Sequence, residues 1–525
     1  MSEVRQETTI EIKEEKIPIM KEKFGVFGAA TFLYAVLYVF CMYQNKSGIT
    51  YPFFVAGSLY YFYYSFGRLG LTWKKGNLFY LISIALLAVA TVCTDDGVLH
   101  FFNKTGIFLL MITMLLGNLY DVSSWSFGKT VKAITSTVCS AFCEIFTPFS
   151  HGKWFCKNKL STKNSKVLYA VLGVLIAIPI FAIIASLLFS ADLIFRDMGN
   201  NLLEALKLED IFGIVWRVIL FFMASYGLLV YLEKRSLIVA GKERKKAEAL
   251  LAIPLALMLT MMYIVFCYIQ IRHLFLGNFG NNSFLFTGDM KIPLGYTYAE
   301  YAREGFFQLL AVALINFVLV LVGLAYFKES KLLKVVLTVM SLCSFVMIAS
   351  SAYRMIIYIM YYYLTYLRVL VLWGLLVLTL LFVGVIVFIF KKRFPLFRYS
   401  MVVVTVLYIA LAFARPEYII AKVNIAAADG TKGFFQSEEF DDYFYLSQLS
   451  ADAAPAIIPF LAENGYNLNM YYDEYDFRDY YDREGFGYFY MNNIKERCQK
   501  TTFRSFNISR FYADFLILSE TTKGF

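Results

Sequence analysis

The feature that most constrains this chain is a succession of long apolar runs, each about as long as a helix needs to be to cross a bilayer. They fall at 24–43, 51–70, 77–93, 105–120, 167–190, 211–232, 250–271, 305–327, 333–352, 368–390 and 399–414. Roughly 20 apolar residues at 1.5 Å per residue span the ~30 Å hydrocarbon layer. Inside lipid every backbone N–H and C=O needs a partner within its own segment, so the runs are expected to be helices. The period-two alternation of a membrane barrel is absent. Composition agrees: 59% of the 525 residues are hydrophobic and 17% are charged, against about 45–50% and 25% in soluble domains. The expected fold is therefore an all-α integral membrane protein of about eleven transmembrane helices.

Charge sets the expected orientation. If residues 1–23 form a cytoplasmic tail, the inner segments carry 28 Lys and Arg, and the short outer loops about nine. That asymmetry is the positive-inside pattern of a multi-pass protein of the plasma membrane. Eleven spans within the membrane domain 24–414 would then leave residues 415–525 outside. The first run follows an acid-bearing leader and has no small-residue cleavage site, so it reads as an anchor and not as a cleaved signal. The net charge of +10 is spread over the cytoplasmic edges. No nucleic-acid partner is expected, since no soluble basic domain exists to receive one.

Two non-spanning regions stand out. In 126–149 the residues Phe127, Val131, Ile134, Val138, Phe142, Ile145 and Phe149 recur at three- and four-residue steps, opposite Lys129, Lys132, Ser136 and Thr137. This is the pattern of a helix lying in the membrane interface. Residues 415–525 carry 17 acids against 11 Lys and Arg, net −6, while the remainder is +16. Their length suits one small, mainly helical extracytoplasmic domain. Ser450 is a helix cap there, ahead of Ala451-Asp452 and Pro455. Asp473, Asp476, Asp479 and Asp482 lack the order of an EF-hand loop; a solvated acidic face paired with Arg478 and Arg483 is the simpler reading.

The stretches RPEYIIAKVNIA (415–426) and FDDYFYLSQLSADAAPAI (440–457) resemble an uncharacterised bacterial membrane family, domain of unknown function 4173, sister of 4153. LLFSADLIF (187–195), YAREGFFQLL (301–310), SSAYRMIIYI (350–359), LTYLR (364–368) and FRSFNISRFYA (503–513) fit the same pattern. Arg415-Pro416-Glu417 departs from an Asn-Pro-Asp-like opening, and Lys422 stands for a usual Arg. The resemblance implies architecture and assigns no activity.

In the expected topology, polar residues of these stretches gather at the outer boundary. Asp192, Arg196, Arg217, Glu300, Tyr301, Arg303, Glu304, Gln308, Arg354, Tyr358 and Arg368 form the candidate outer-face site. Charges beside hydrocarbon pair or face the bundle interior. An excess of guanidinium there would suit an anionic ligand, whereas Asp192, Glu300 and Glu304 could equally neutralise the arginines and lock helix ends.

Catalysis has little to stand on. No phosphate-binding loop, zinc-protease motif or nucleophile elbow occurs. His100, His151 and His273 are scattered, Cys139, Cys143, Cys156 and His151 match no common zinc spacing, and Asp95-Asp96 is a lone acidic pair. No cofactor, metal or catalytic residue is expected. Three readings stay open: a membrane-embedded sensor or envelope accessory protein, a transporter or flippase for an anionic or lipid-linked substrate, and a membrane enzyme. The first is favoured, with the lipid bilayer and an envelope protein or anionic ligand as partners.

Overall fold

The computed structural model describes residues 18–45, 47–120, 127–159, 208–236, 246–272, 305–428, 443–465, 468, 483–499 and 502–523, with eight isolated positions between 173 and 191. Among the described residues the chain is helical, with one isolated bridge between Ala247 and Phe327 in place of any sheet. The helices in chain order are α1 (Phe24–Met42), α2 (Thr50–Arg68), α3 (Leu78–Cys93), α4 (Gly97–Leu119), α5 (Phe127–Cys143) and α6 (Thr147–Lys159). Then come α7 (Leu208–Ser236), α8 (Ala249–Gln270), α9 (Phe306–Tyr326), α10 (Lys331–Tyr362), α11 (Tyr366–Phe390) and α12 (Leu396–Phe413). The remainder is α13 (Pro416–Ala428), α14 (Tyr443–Ser447), α15 (Ala454–Glu463), α16 (Arg483–Gln499) and α17 (Ile508–Lys523).

Among the described residues eight helices are long and apolar enough to cross a membrane: α1, α4 and α7 to α12. Ten of the eleven expected runs coincide with helices, and the run 167–190 lies almost wholly outside the described residues. Two of the ten fall short as spans. The tyrosine-rich α2 is too polar, and α3 has only 16 residues. The acidic stretch 473–482 also lies outside the described residues.

The described residues group into two compact units. The first comprises residues up to Tyr43, Gly57–Trp73 and Ser136–Ala240. Its interior is aromatic: Tyr34 stacks on Tyr61 at 4.4 Å, and Tyr38 on Phe221 at 4.0 Å. The hydroxyls of both stacked tyrosines are paired, Tyr34 Oη donating to Ser58 Oγ at 2.8 Å and Tyr61 Oη sharing 2.8 Å with Thr31 Oγ1. His151 on α6 meets the Tyr226 hydroxyl at 3.0 Å through Nδ1, while Cys139 and Cys143 are exposed.

The second unit comprises Gln44–Ala56, Lys74–Thr135 and Gly241–Phe525. Its membrane core packs α8, α9, α10 and α11 around Ala313, Val320, Met347 and Phe382. Outward-facing Leu250, Leu251 and Met258 on α8 are 73–79% exposed, the arrangement expected where lipid is the solvent. Polar side chains in the core are few and paired: Asn316 donates to Ser344 Oγ at 3.1 Å, and Ser350 to Gln270 Oε1 at 2.9 Å. Such bonds in membranes are worth on the order of 0.6 kcal/mol each. They fix helix register more than they stabilise.

A separate core gathers the C-terminal segments. Ala421, Leu446, Ile457, Ile458, Leu461, Phe486, Tyr490 and Ile494 are all buried in it, with Ala513 and Ile517 of α17. Ser450 caps this domain where its spacing predicts, accepting a hydrogen bond from Asp452 N at 3.2 Å ahead of α15.

Candidate functional site

A polar site in the second unit lies where the C-terminal segments meet the loop between α3 and α4. That loop is Thr94-Asp95-Asp96, followed at once by Gly97 at the start of α4. A short loop between two apolar helices leaves its backbone groups without helical partners, so something else must satisfy them. Asp96 meets part of the need as N-cap of α4, its Oδ1 accepting from Val98 N at 2.7 Å. The C-terminal domain meets the rest. Asp452 takes Asp95 N on Oδ1 at 2.8 Å and the Thr94 hydroxyl on Oδ2. Asn507 donates to Thr94 O at 2.7 Å, and its own Oδ1 accepts from Ser509 N at the start of α17.

The charges follow. Asp95 Oδ1 accepts from Arg510 Nε at 2.5 Å, and Oδ2 from Arg497 Nη1 at 2.8 Å. Side chains of Asp95 and Arg510 are 4% and 3% exposed, while Arg497 is 33% exposed. Burial by itself would raise the Asp95 carboxyl, but the two guanidinium groups outweigh it and hold Asp95 below the ordinary carboxylate range.

Beside this clamp sit further acids, Glu417 and Asp96. Glu417, in the first turn of α13, accepts from both the backbone N–H (2.8 Å) and the hydroxyl of Ser450. Burial pushes its carboxyl up to about 8, helped by the negative charges of Asp96 and Asp452 and opposed by the two Ser450 bonds. Asp96 is raised too, by burial first. The Tyr366 side chain partly opposes that shift. The fully buried Tyr490 donates to Ser450 O at 3.0 Å and closes the arrangement.

Further bonds stitch the same domain to helix ends. Asn424 of α13 grips Leu364 at both backbone groups, accepting from its N at 3.0 Å and donating to its O at 2.9 Å. Tyr445 Oη accepts from Tyr366 N at 2.7 Å. At the other edge Ile49 N donates to Phe506 O at 2.8 Å, and Asn45 Nδ2 and Thr50 Oγ1 both reach Arg504 O. Gly48 allows this approach, since a Cβ there would stand 2.6 Å from the carbonyl carbon of Ser505. Gly48→Ala is therefore expected to lower the thermal stability of the second unit by several degrees, with α17 amides losing exchange protection first; unchanged protection would show that the strand of chain at 502–507 yields freely.

The eleven outer-face candidates divide as follows. Asp192, Arg196, Glu300, Tyr301, Arg303 and Glu304 lie outside the described residues. Arg217 belongs to the first unit, its guanidinium 4.5 Å over the Tyr43 ring and donating to Gly213 O. Gln308 is exposed on α9. The remaining three come together at the end of α10. Arg368 lies 4.3 Å over the Tyr358 ring and donates to the carbonyls of Tyr362 and Tyr363, so it caps α10. Arg354, one turn before Tyr358, packs against Gly305, whose φ of +86° is one that residues with a side chain rarely adopt.

The clamp residues Asp452, Asn507 and Arg510, with Glu417 and Asn424, were not singled out by sequence pattern. The available signal was their position: all are polar members of the stretches 415–426, 440–457 and 503–513, and the structure converges those stretches on one loop. Asp95-Asp96, weighed above as a lone acidic pair, is the loop they converge on. Among the described residues no group of three His, Cys, Asp or Glu side chains is placed to hold a metal ion.

No curated protein and no solved structure matches the chain. A family model does, over residues 81–460, which run from within α3 to within α15 and include Asp95 and Asp452 but not Arg497, Asn507 or Arg510. The match falls on 4153 and not on its sister 4173, which the quoted stretches were taken to resemble; both are families of unknown function. This membrane protein belongs to the family described as domain of unknown function 4153.

Proposed function

We propose that the chain is a membrane-embedded sensor or cell-envelope accessory protein whose C-terminal domain receives a partner protein or an anionic ligand. One observation carries this reading: a domain with its own core is tied by a buried ion pair to the loop joining two membrane helices. A domain held this way passes a displacement at its surface to α3 and α4, where a flexible tether would absorb it. Coupling of that kind requires a contiguous packed connection, and the bonds of Asp452, Asn507 and Arg510 supply one.

The placement proposed is the plasma membrane, with a cytoplasmic N-terminus and the C-terminal domain outside. The 28 Lys and Arg of the inner segments support it. An odd count of eleven spans, with α2, α3 and 167–190 added to the eight, puts the termini on opposite sides. The anion-binding side of the proposal rests on Arg354 and Arg368 beside Tyr358, with Arg303 two residues before Gly305 in sequence. The bilayer is the solvent, and no cofactor or nucleic acid enters.

The test combines orientation with partnership. Alkaline phosphatase fused after Phe525 is expected to be active, and a photo-crosslinking residue at exposed Glu463 to capture an envelope protein in intact cells. An inactive fusion would overturn the orientation. A purified, reconstituted chain that moved an anionic solute across vesicles at carrier rates would replace the sensor reading with transport.

A further inference from the structure

The last helix of the C-terminal domain has two apolar faces, and its domain covers only one of them. Ala513 and Ile517, with Arg510, point into the domain core. At 100° per residue, Ile508, Phe511, Tyr512, Phe515 and Leu518 fall on the opposite arc, and all five are exposed, Phe511, Phe515 and Leu518 by 55–61%. Phe503, just before the helix, is 86% exposed. An apolar arc of this breadth marks an interaction surface.

Where the helix is held says what meets that surface. Its entry, residues 504–510, is bonded to the chain before α2 through Asn45, Ile49 and Thr50, and to the α3–α4 loop through Thr94 and Asp95. Both attachments are at ends of membrane-domain helices, the depth of the headgroups. Exposed apolar side chains of those helix ends lie at the same level: Phe53 in the first turn of α2, and Val98, Phe101 and Phe102 in the first turns of α4. Helix α17 also packs on α3. At 16 residues, α3 is about 24 Å long by the rise of 1.5 Å per residue, short of the ~30 Å hydrocarbon layer.

We infer that α17 is an interfacial helix whose Ile508, Phe511, Tyr512, Phe515 and Leu518 face is seated in the lipid headgroup–acyl boundary beside the short α3. The bilayer is the occupant this position favours, because the face continues the lipid-facing surface of the bundle. Aromatic side chains suit that depth, and a helix lying there buries its apolar arc about 5–10 Å deep. The inference is independent of which partner the domain receives.

Nitroxide labels at Phe515→Cys and, separately, Leu518→Cys test it in the full chain, with Cys139 and Cys143 replaced by Ser. The chain is reconstituted into phosphatidylcholine–phosphatidylglycerol vesicles, and the signal of the unsubstituted background is subtracted. Collision with oxygen relative to a water-soluble nickel complex is expected to be several-fold higher at both positions than at Glu463→Cys, a solvent-exposed control. A ratio equal to that of the control would overturn the inference and leave the face in water. Low collision with both reagents would overturn it too, by showing the face covered by protein, a second copy of the chain included. Both substitutions are on the exposed arc, so folding is expected to survive them.

Discussion

Replacing Arg510 by Met is expected to destabilise the C-terminal domain by about 3–5 kcal/mol, the cost of removing one member of a buried ion pair. Methionine keeps an apolar stem but leaves Asp95, 4% exposed, with Arg497 alone. Arg497 is one-third exposed, and its pairing is correspondingly screened. The change also removes the donor to Ser505 O that helps seat the entry to α17. Hydrogen exchange of the full chain in lipid nanodiscs reads the effect: amides of α15, α16 and α17 should lose protection, while those of α9 and α10 should not. Asp95→Asn combined with Arg510→Met should cost less than the sum of the two single changes, because the orphaned charge is then gone. A loss below about 1 kcal/mol, within the range of surface pairs, would show that Asp95 and Arg510 are not a clamp.

Raising the pH is expected to weaken the same domain, and Glu417→Gln is expected to abolish most of that dependence. The carboxyl is pushed up to about 8, against an ordinary value near 4.3. A group whose proton is held more tightly in the folded state contributes stability that is complete below the unfolded value and is lost as pH rises through the folded one. The window is therefore about pH 4.5 to 8, with a limiting slope of about 1.4 kcal/mol per pH unit. Burial and the neighbouring acids set the sign. Asp96 and Asp452 repel the charge of Glu417, and the two Ser450 bonds to one oxygen oppose the shift without reversing it. Glutamine keeps an oxygen for the Ser450 donors and carries no charge, so the variant should match the natural chain near pH 5 and exceed it near pH 9. Parallel pH profiles for the two chains would place the titration elsewhere. Asp95 acts in the opposite sense and in a lower window, since its depressed carboxyl loses the clamp only as pH falls below the ordinary carboxylate range.

A buried acid that is neutral near neutral pH and a buried acid that is charged thus stand in neighbouring positions of one junction. Their environments differ in one respect: Asp95 has two guanidinium partners, and Glu417 has two further carboxylates.

The membrane helices were legible in the residues themselves because each one is decided locally. A run such as 368–390 has to pair its own backbone and face lipid whatever its neighbours do, and it appears as Tyr366–Phe390. The Ser450 cap was legible for the same reason, since its partner is two residues away. The polarity of α2 was visible in its tyrosines too, but whether a marginal run such as that of α3 spans depends on what packs beside it. The pairing of Asp95 with Arg510 is a different kind of fact. It joins positions 415 residues apart, and an acid in a short loop has the same local chemistry whether it is solvated, catalytic or clamped. Only the tertiary structure decided it, by bringing the stretches 415–426, 440–457 and 503–513 onto one loop and excluding water from the charges that meet there.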